Sequence, residues 1–151
     1  MHYLVDTSVL VRAVHRRDPA CSTARRALTS LSQSDHRLCV LPQNLAELWF
    51  VCTRPVASNG LGFSYARTNA YVEQFERYFD MFFETPAVYA EWRSLLGQHR
   101  MVGRQLFDAR LAAAALVHSF DRVLTFDVEH FRRYEGLELV HPADVSKQTP
   151  G

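Results

Sequence analysis

Lysine is almost missing from this chain: of 151 residues only Lys147, in the C-terminal tail, carries an ammonium side chain. Chemistry that needs a lysine inside the fold is excluded, the P-loop among it, and its glycine-rich motif is absent as well. Cysteine is scarce and odd in number. Cys21, Cys39 and Cys52 fit neither a zinc ribbon nor a CxxC pair, so they read as reduced core thiols without a disulfide scaffold. The longest purely apolar run, Leu111 to Val117, is far short of the roughly 20 residues of a membrane span. No basic leader precedes the first apolar segment, and the expectation is a soluble, unexported, cytoplasmic protein. Charge of one sign is also lacking: 17 basic against 16 acidic residues leave a net charge of +1, not the strongly basic balance of a nucleic-acid-binding domain. The seven histidines show no ligand spacing such as HExxH, and none is assigned to a metal.

What is present is a 48% hydrophobic, 22% charged chain of single-domain size, read as one domain over 1–145 and a tail over 146–151. Short apolar segments alternate with helical periodicities. His2–Asp6, Arg37–Leu41, Asp80–Glu84, Arg122–Phe126 and Leu137–Val140 read as strands. Helices are expected over Thr7–His15, from Asp18-Pro19 to Leu31, Pro42–Cys52, from a Ser64 cap to Phe79, Pro86–Arg100, Phe107–His118 and Glu129–Tyr134. The alternation predicts an α/β fold with a central parallel sheet covered on both faces, whose ligand site lies outside the carboxyl ends of the strands. The first 26 residues hold five arginines, Arg12, Arg16, Arg17, Arg25 and Arg26, against Asp6 and Asp18. This excess suits a phosphate backbone or, equally, an ordinary solvated helix face. Tyr71, Phe75, Tyr78, Phe79 and Phe82 follow helical spacing into the next strand and read first as core, then as a self-association surface or a groove for an amphipathic partner helix.

Four carboxylates stand in apolar company: Asp6 in LVDTSVLV, Glu47 in LAELWFV, Asp108 in LFDARLAAAALV and Asp127 in VLTFD. Ionised carboxylates in such surroundings need compensation. Taken singly, Asp6, Asp108 and Asp127 can each cap the helix that follows. Glu47 cannot, because it lies more than a turn inside its helix, on a face shared with Leu48 and Phe50. Taken together, all four map to the edge where strands end and helices begin, and a carboxylate cluster stays ionised only around a cation. Oxygen donors without His or Cys select Mg²⁺ or Mn²⁺.

These segments resemble the PIN-domain metal-dependent ribonucleases, and among them the VapC-like toxins of bacterial type II toxin–antitoxin pairs. The likeness covers nearly the whole chain. It rests on Asp6 and Ser8 in LVDTSVLV, Glu47 in NLAELWFV, Asp108 in FDARLAAAA, Thr125, Asp127 and Phe131 in LTFDVEHF, and the ending RYEGLELVHP. Arg110 and Leu111 follow Asp108 where some members carry an additional acid. The resemblance implies a three-layer α/β/α fold and hydrolysis of RNA phosphodiesters with Mg²⁺ or Mn²⁺, leaving a 5′-phosphate and a 3′-hydroxyl. It assigns Asp6, Glu47 and Asp108 to direct or water-mediated metal ligation and Asp127 to a weaker or second-metal role. Ser8 orients Asp6 or a metal-bound water, or is simply a helix-start residue; Thr125 reads first as a strand former. Arg12, Arg16 and Arg17 are candidates for substrate binding. An RNA substrate, a cognate antitoxin and a homodimer are the implied partners, with no membrane.

Two enzyme rivals fail on residues. A haloacid-dehalogenase-like phosphatase needs a second aspartate where Ser8 stands, and a receiver domain needs a lysine near its acidic pocket. The remaining rivals are a non-catalytic module of the same fold that holds RNA or protein, and a housekeeping RNA-processing nuclease.

Overall fold

The computed structural model describes residues 1–147; within the expected tail, residues 148–151 lie outside the described residues. The elements are β1 (His2–Val5), α1 (Thr7–Val14), α2 (Cys21–Gln33), β2 (Arg37–Val40), α3 (Pro42–Thr53), α4 (Tyr65–Tyr78), β3 (Asp80–Met81), α5 (Pro86–His99), α6 (Gln105–Val117), β4 (Arg122–Leu124), α7 (Val128–Phe131) and β5 (Leu139–Val140). Short 3-10 segments cover Val56–Ser58 and Pro142–Lys147. The strands form one parallel sheet in the order β3-β2-β1-β4-β5. The chain first builds outward from β1 to one side, then crosses to the other, so the order reverses between β1 and β4. In such sheets that reversal opens a crevice at the carboxyl ends of the strands.

Alternation along the strands feeds two cores. Tyr3, Val5, Leu38, Val40 and Leu124 pack with α1, α2, α3 and α4, whereas Leu4, Cys39 and Val123 pack with α5, α6 and α7. The expected three-layer α/β/α arrangement is therefore present. Helix α6 is buried almost all round, through Ala109, Leu111 and Ala112 to Ala115, and its small side chains let it lie close to the sheet. The three cysteines are free and buried, as expected, and burial pushes the Cys39 and Cys52 thiols up to about 12 and about 11.

Several boundaries differ from the sequence reading, each for a local reason. Asp18 does not open α2. Its Oδ1 accepts from the Ala20 amide at 2.8 Å and its carbonyl from Cys21 at 3.0 Å, which makes a turn that delays the helix to Cys21. The strand expected over Asp80–Glu84 ends at Met81, because β2 stops at Val40 where Pro42 opens α3; the Phe82 amide still donates to the Val40 carbonyl at 2.9 Å, but the Phe83 carbonyl pairs with the His118 side chain instead of a strand. By contrast Ser64 caps α4 as expected, accepting from the Arg67 amide at 3.1 Å. Phe75 and Phe79 are core, Tyr71 and Phe82 pack against it half-buried, and Tyr78 is exposed. In the loop after α3, Gly60 is required by close approach: a Cβ there would stand 1.9 Å from the Arg54 carbonyl oxygen.

Candidate active site

Asp6 follows β1 directly, in extended conformation at the head of α1, and is only 7% exposed. Its side chain makes no cap to that helix. Two hydroxyls hold it instead: Ser8 donates to Oδ2 at 2.7 Å and Thr125 to the same oxygen at 2.8 Å. Oδ1 takes neither. Burial raises the Asp6 pKa, the two hydroxyls oppose that shift, and the charge of Asp127 adds to it. Thr125 lies one residue past β4 and is fully buried; its amide still bonds the Val140 carbonyl of β5 at 3.0 Å, in keeping with the strand reading, while its side-chain oxygen also accepts from the Asp127 amide at 2.9 Å. Ser8 closes the ring by accepting from the Phe126 amide at 3.1 Å. One hydroxyl pair thus couples the ends of β1 and β4, at the point where the strand order reverses.

Asp108 also fails to be a cap. Helix α6 begins at Gln105, with Arg104 at its head, so Asp108 is the fourth residue of the helix, within its first turn rather than before it. Its pKa is pushed up to about 6, first by burial and then by Asp6, with Asp127 adding and His130 and Arg133 opposing. Glu47 is half-buried and likewise raised, by burial and by the charges of Asp6 and Asp108, against a hydrogen bond from Gln43 and the charge of Arg104. Leu48 beside it is buried, but Phe50 is exposed, so the apolar face expected around Glu47 is only half there. Asp127 heads α7 without capping it. The four acids expected from the sequence interact through their charges: Asp6 with Asp127, Glu47 with Asp6 and Asp108, and Asp108 with Asp6 and Asp127, across elements from both helical layers.

The arginines divide. Arg12 lies beside the residues that hold Asp6, donating to the Ser8 carbonyl at 3.1 Å with its guanidinium 4.6 Å from the Phe126 ring. Arg16 and Arg17 follow the far end of α1, about 12 Å along its axis. There Arg16 joins Arg25, Tyr71, Gln74 and Tyr78 in a cleft of about 340 Å³ between α1, α2 and α4. Arg110 turns to Glu84 in a two-point ion pair, 3.0 Å on both arms.

Sequence reasoning missed five contributors. Gln43 binds Glu47, a spacing of four that the α3 periodicity offers. Buried Asn44 accepts from the Leu41 amide at 2.8 Å and donates to Thr7 at 3.2 Å, tying the heads of α3 and α1 together. Arg104 and Arg133 supply opposing positive charge, and the His130 ring, 3.8 Å from Asp108, adds to it when protonated. Nothing in the chain order around these three announces it, because they meet the acids only through the packing of α6 and α7.

A family model for the PIN domain matches residues 3–137. The chain belongs to the PIN-domain family. Solved structures with the same fold include VapBC2 from Rickettsia felis bound to a promoter DNA fragment, at TM-score 0.70 and 16% identity, covering 93% of this chain and 98% of that one. The sarcin-ricin-loop-cleaving toxin VapC20 of Mycobacterium tuberculosis matches at TM-score 0.65 and 18% identity over 85% and 92%. FitAcB from Neisseria gonorrhoeae matches at 0.61 and 23% over 93% and 97%. At such identities the likeness is one of fold. No curated relative matches the sequence.

The carboxylate oxygens of these four acids are the donor type that suits a hard divalent cation, and one Asp6 oxygen is left free by both hydroxyls. Among the described residues, no group of three or more His, Cys, Asp or Glu side chains is arranged to hold an ion as it stands. Among them, too, no helix is long and apolar enough to cross a membrane.

Proposed function

We propose that this PIN domain is a Mg²⁺- or Mn²⁺-dependent endoribonuclease and the toxin of a toxin–antitoxin pair. The reading rests on the mutual electrostatic influence of Asp6, Glu47, Asp108 and Asp127, with no side-chain cap bond from Asp6 or Asp127, in a sheet whose strand order reverses between β1 and β4. When bound, the cation supplies Lewis acidity and a more acidic water at neutral pH. Asp6, Glu47 and Asp108 hold it, directly or through water, and Asp127 serves a weaker or second position. Ser8 and Thr125 fix the Asp6 carboxylate so that Oδ1 is presented and Oδ2 is not. Arg12 sits where it can take a phosphate next to the acids, with Arg16 and Arg17 further along the strand of RNA. The cleft between α1, α2 and α4, with Tyr71 and Tyr78 on its wall, suits an amphipathic antitoxin segment. One neighbour of the same fold, from Klebsiella pneumoniae, is a toxin–antitoxin complex by its own description. A homodimer in the cytoplasm completes the reading.

The test is RNA cleavage by the purified protein with and without chelator, together with growth on expression without a partner. Cleavage that stops with chelator and leaves 5′-phosphates is expected. Chelator-resistant cleavage, or 2′,3′-cyclic phosphate ends, refutes the metal-dependent reading. Cleavage without growth arrest points to a housekeeping nuclease, and neither to a binding module.

A further inference from the structure

The amide of Gln43 is neither an acid nor a phosphate-binding cation, yet it joins two of the acid-bearing helices. Its Nε2 donates to Glu47 Oε1 at 2.7 Å and to the Phe107 carbonyl at 3.0 Å. Phe107 immediately precedes Asp108, so one side chain spans from α3 to α6, which belong to opposite layers. The chemistry fixes the orientation of the amide: both partners are acceptors, and only the nitrogen end carries hydrogens, one for each. We propose that Gln43 is a positioning residue that holds the Glu47 carboxylate, and with it the Glu47–Asp108 separation, ready for a divalent cation.

The physical need comes from like charge. Glu47 is a half-buried carboxylate with two negative neighbours, Asp6 and Asp108, and without a tether repulsion favours rotamers that carry it away from them toward solvent. A neutral amide donor opposes that escape without adding a positive charge that would compete with the cation. Because Gln43 engages Oε1, Oε2 remains the carboxylate's open acceptor. The ring of Ser8 and Thr125 does the equivalent for Asp6, so buried Asp6 and half-buried Glu47 are each tethered through one oxygen. Groups that orient a ligand from behind commonly change metal affinity tenfold or more when removed.

The inference rests on the proposed metal-dependent reading, and the experiment separates the two. Mn²⁺ binding is titrated calorimetrically on wild type, Gln43→Leu, Glu47→Ala and the double variant, with apoprotein melting and Mg²⁺-dependent RNA cleavage measured in parallel. Gln43→Leu should weaken Mn²⁺ about tenfold, leave the apoprotein folded, and regain most of its kcat at saturating Mg²⁺. In the Glu47→Ala background the same change should leave Mn²⁺ affinity where it was, because Gln43 acts through Glu47. Gln43→Met, which keeps the unbranched chain, replaces leucine if packing fails. Equal Mn²⁺ affinity in wild type and Gln43→Leu, or an equal loss with and without Glu47, overturns the inference and leaves the nuclease reading standing. A wild type that binds no Mn²⁺ and cleaves no RNA overturns the reading and the inference with it.

Discussion

Asp108→Asn distinguishes a metal site from a set of independent caps, and the structure sets both the sign and the size of the effect. Asp108 titrates near 6 in the fold against its ordinary 3.8, mainly through burial and then through Asp6. Two decades of proton affinity correspond to about 3 kcal/mol at ~1.36 kcal/mol per decade. The side chain is 37% exposed, so solvent screening reduces this to about 1 to 2 kcal/mol. The first-turn position in α6 favours a negative charge by roughly 0.3 to 1 kcal/mol in the opposite sense. The net expectation is an apoprotein about 1 kcal/mol more stable as Asn at pH 8, a rise in Tm of about 2 to 4 °C. A raised folded-state pKa means that wild type binds its proton more tightly when folded. The penalty is therefore full above 6 and disappears as pH falls through 6 toward 3.8, so the advantage of Asn should vanish near pH 4. Mn²⁺ reverses the order, since wild type gains about 2.7 kcal/mol at an ion concentration a hundredfold above its Kd and the variant gains much less. Thermal melts across pH, with and without Mn²⁺, read all of this. An apoprotein destabilised by the change at pH 8, or equal Mn²⁺ shifts in both proteins, refutes the reasoning.

Three further outcomes follow from named side chains. Thr125→Val strips a donor from Asp6 and the acceptor from the Asp127 amide, and should cost about 1 to 3 kcal/mol in urea unfolding; Thr125→Ser keeps both bonds and most of the stability. Replacing Arg16 and Arg17 together by Gln should flatten the log–log salt dependence of RNA affinity by about 0.7 for each phosphate that is no longer neutralised, and an unchanged slope would assign both to an ordinary solvated face. Gly60→Ala drives a Cβ into the Arg54 main chain and should lower the denaturant midpoint by an amount equivalent to about 1 to 3 kcal/mol with no change in metal affinity.

The sequence by itself determined the layers and the acids. Alternation in short apolar strands such as His2–Val5, helical periodicity between them, and four carboxylates in apolar company suffice, because burial of a period-2 or period-3.6 face is a local property of the chain. What surrounds those carboxylates, by contrast, is a property of the tertiary structure. The chain order leaves Asp6 and Asp108 open as helix caps; the early start of α6 at Gln105, and the hydroxyls that reach Asp6 from Ser8 and from Thr125, remove the capping alternative. The charges of Arg104, His130 and Arg133 around the acids, the separation of Arg12 from Arg16 and Arg17, and the bridge from Gln43 to Phe107 were not legible either. Each is a contact between residues tens of positions apart or a matter of which way a helix points, and its energy depends on a distance of a few ångströms that exists only once the sheet has brought the strand ends together.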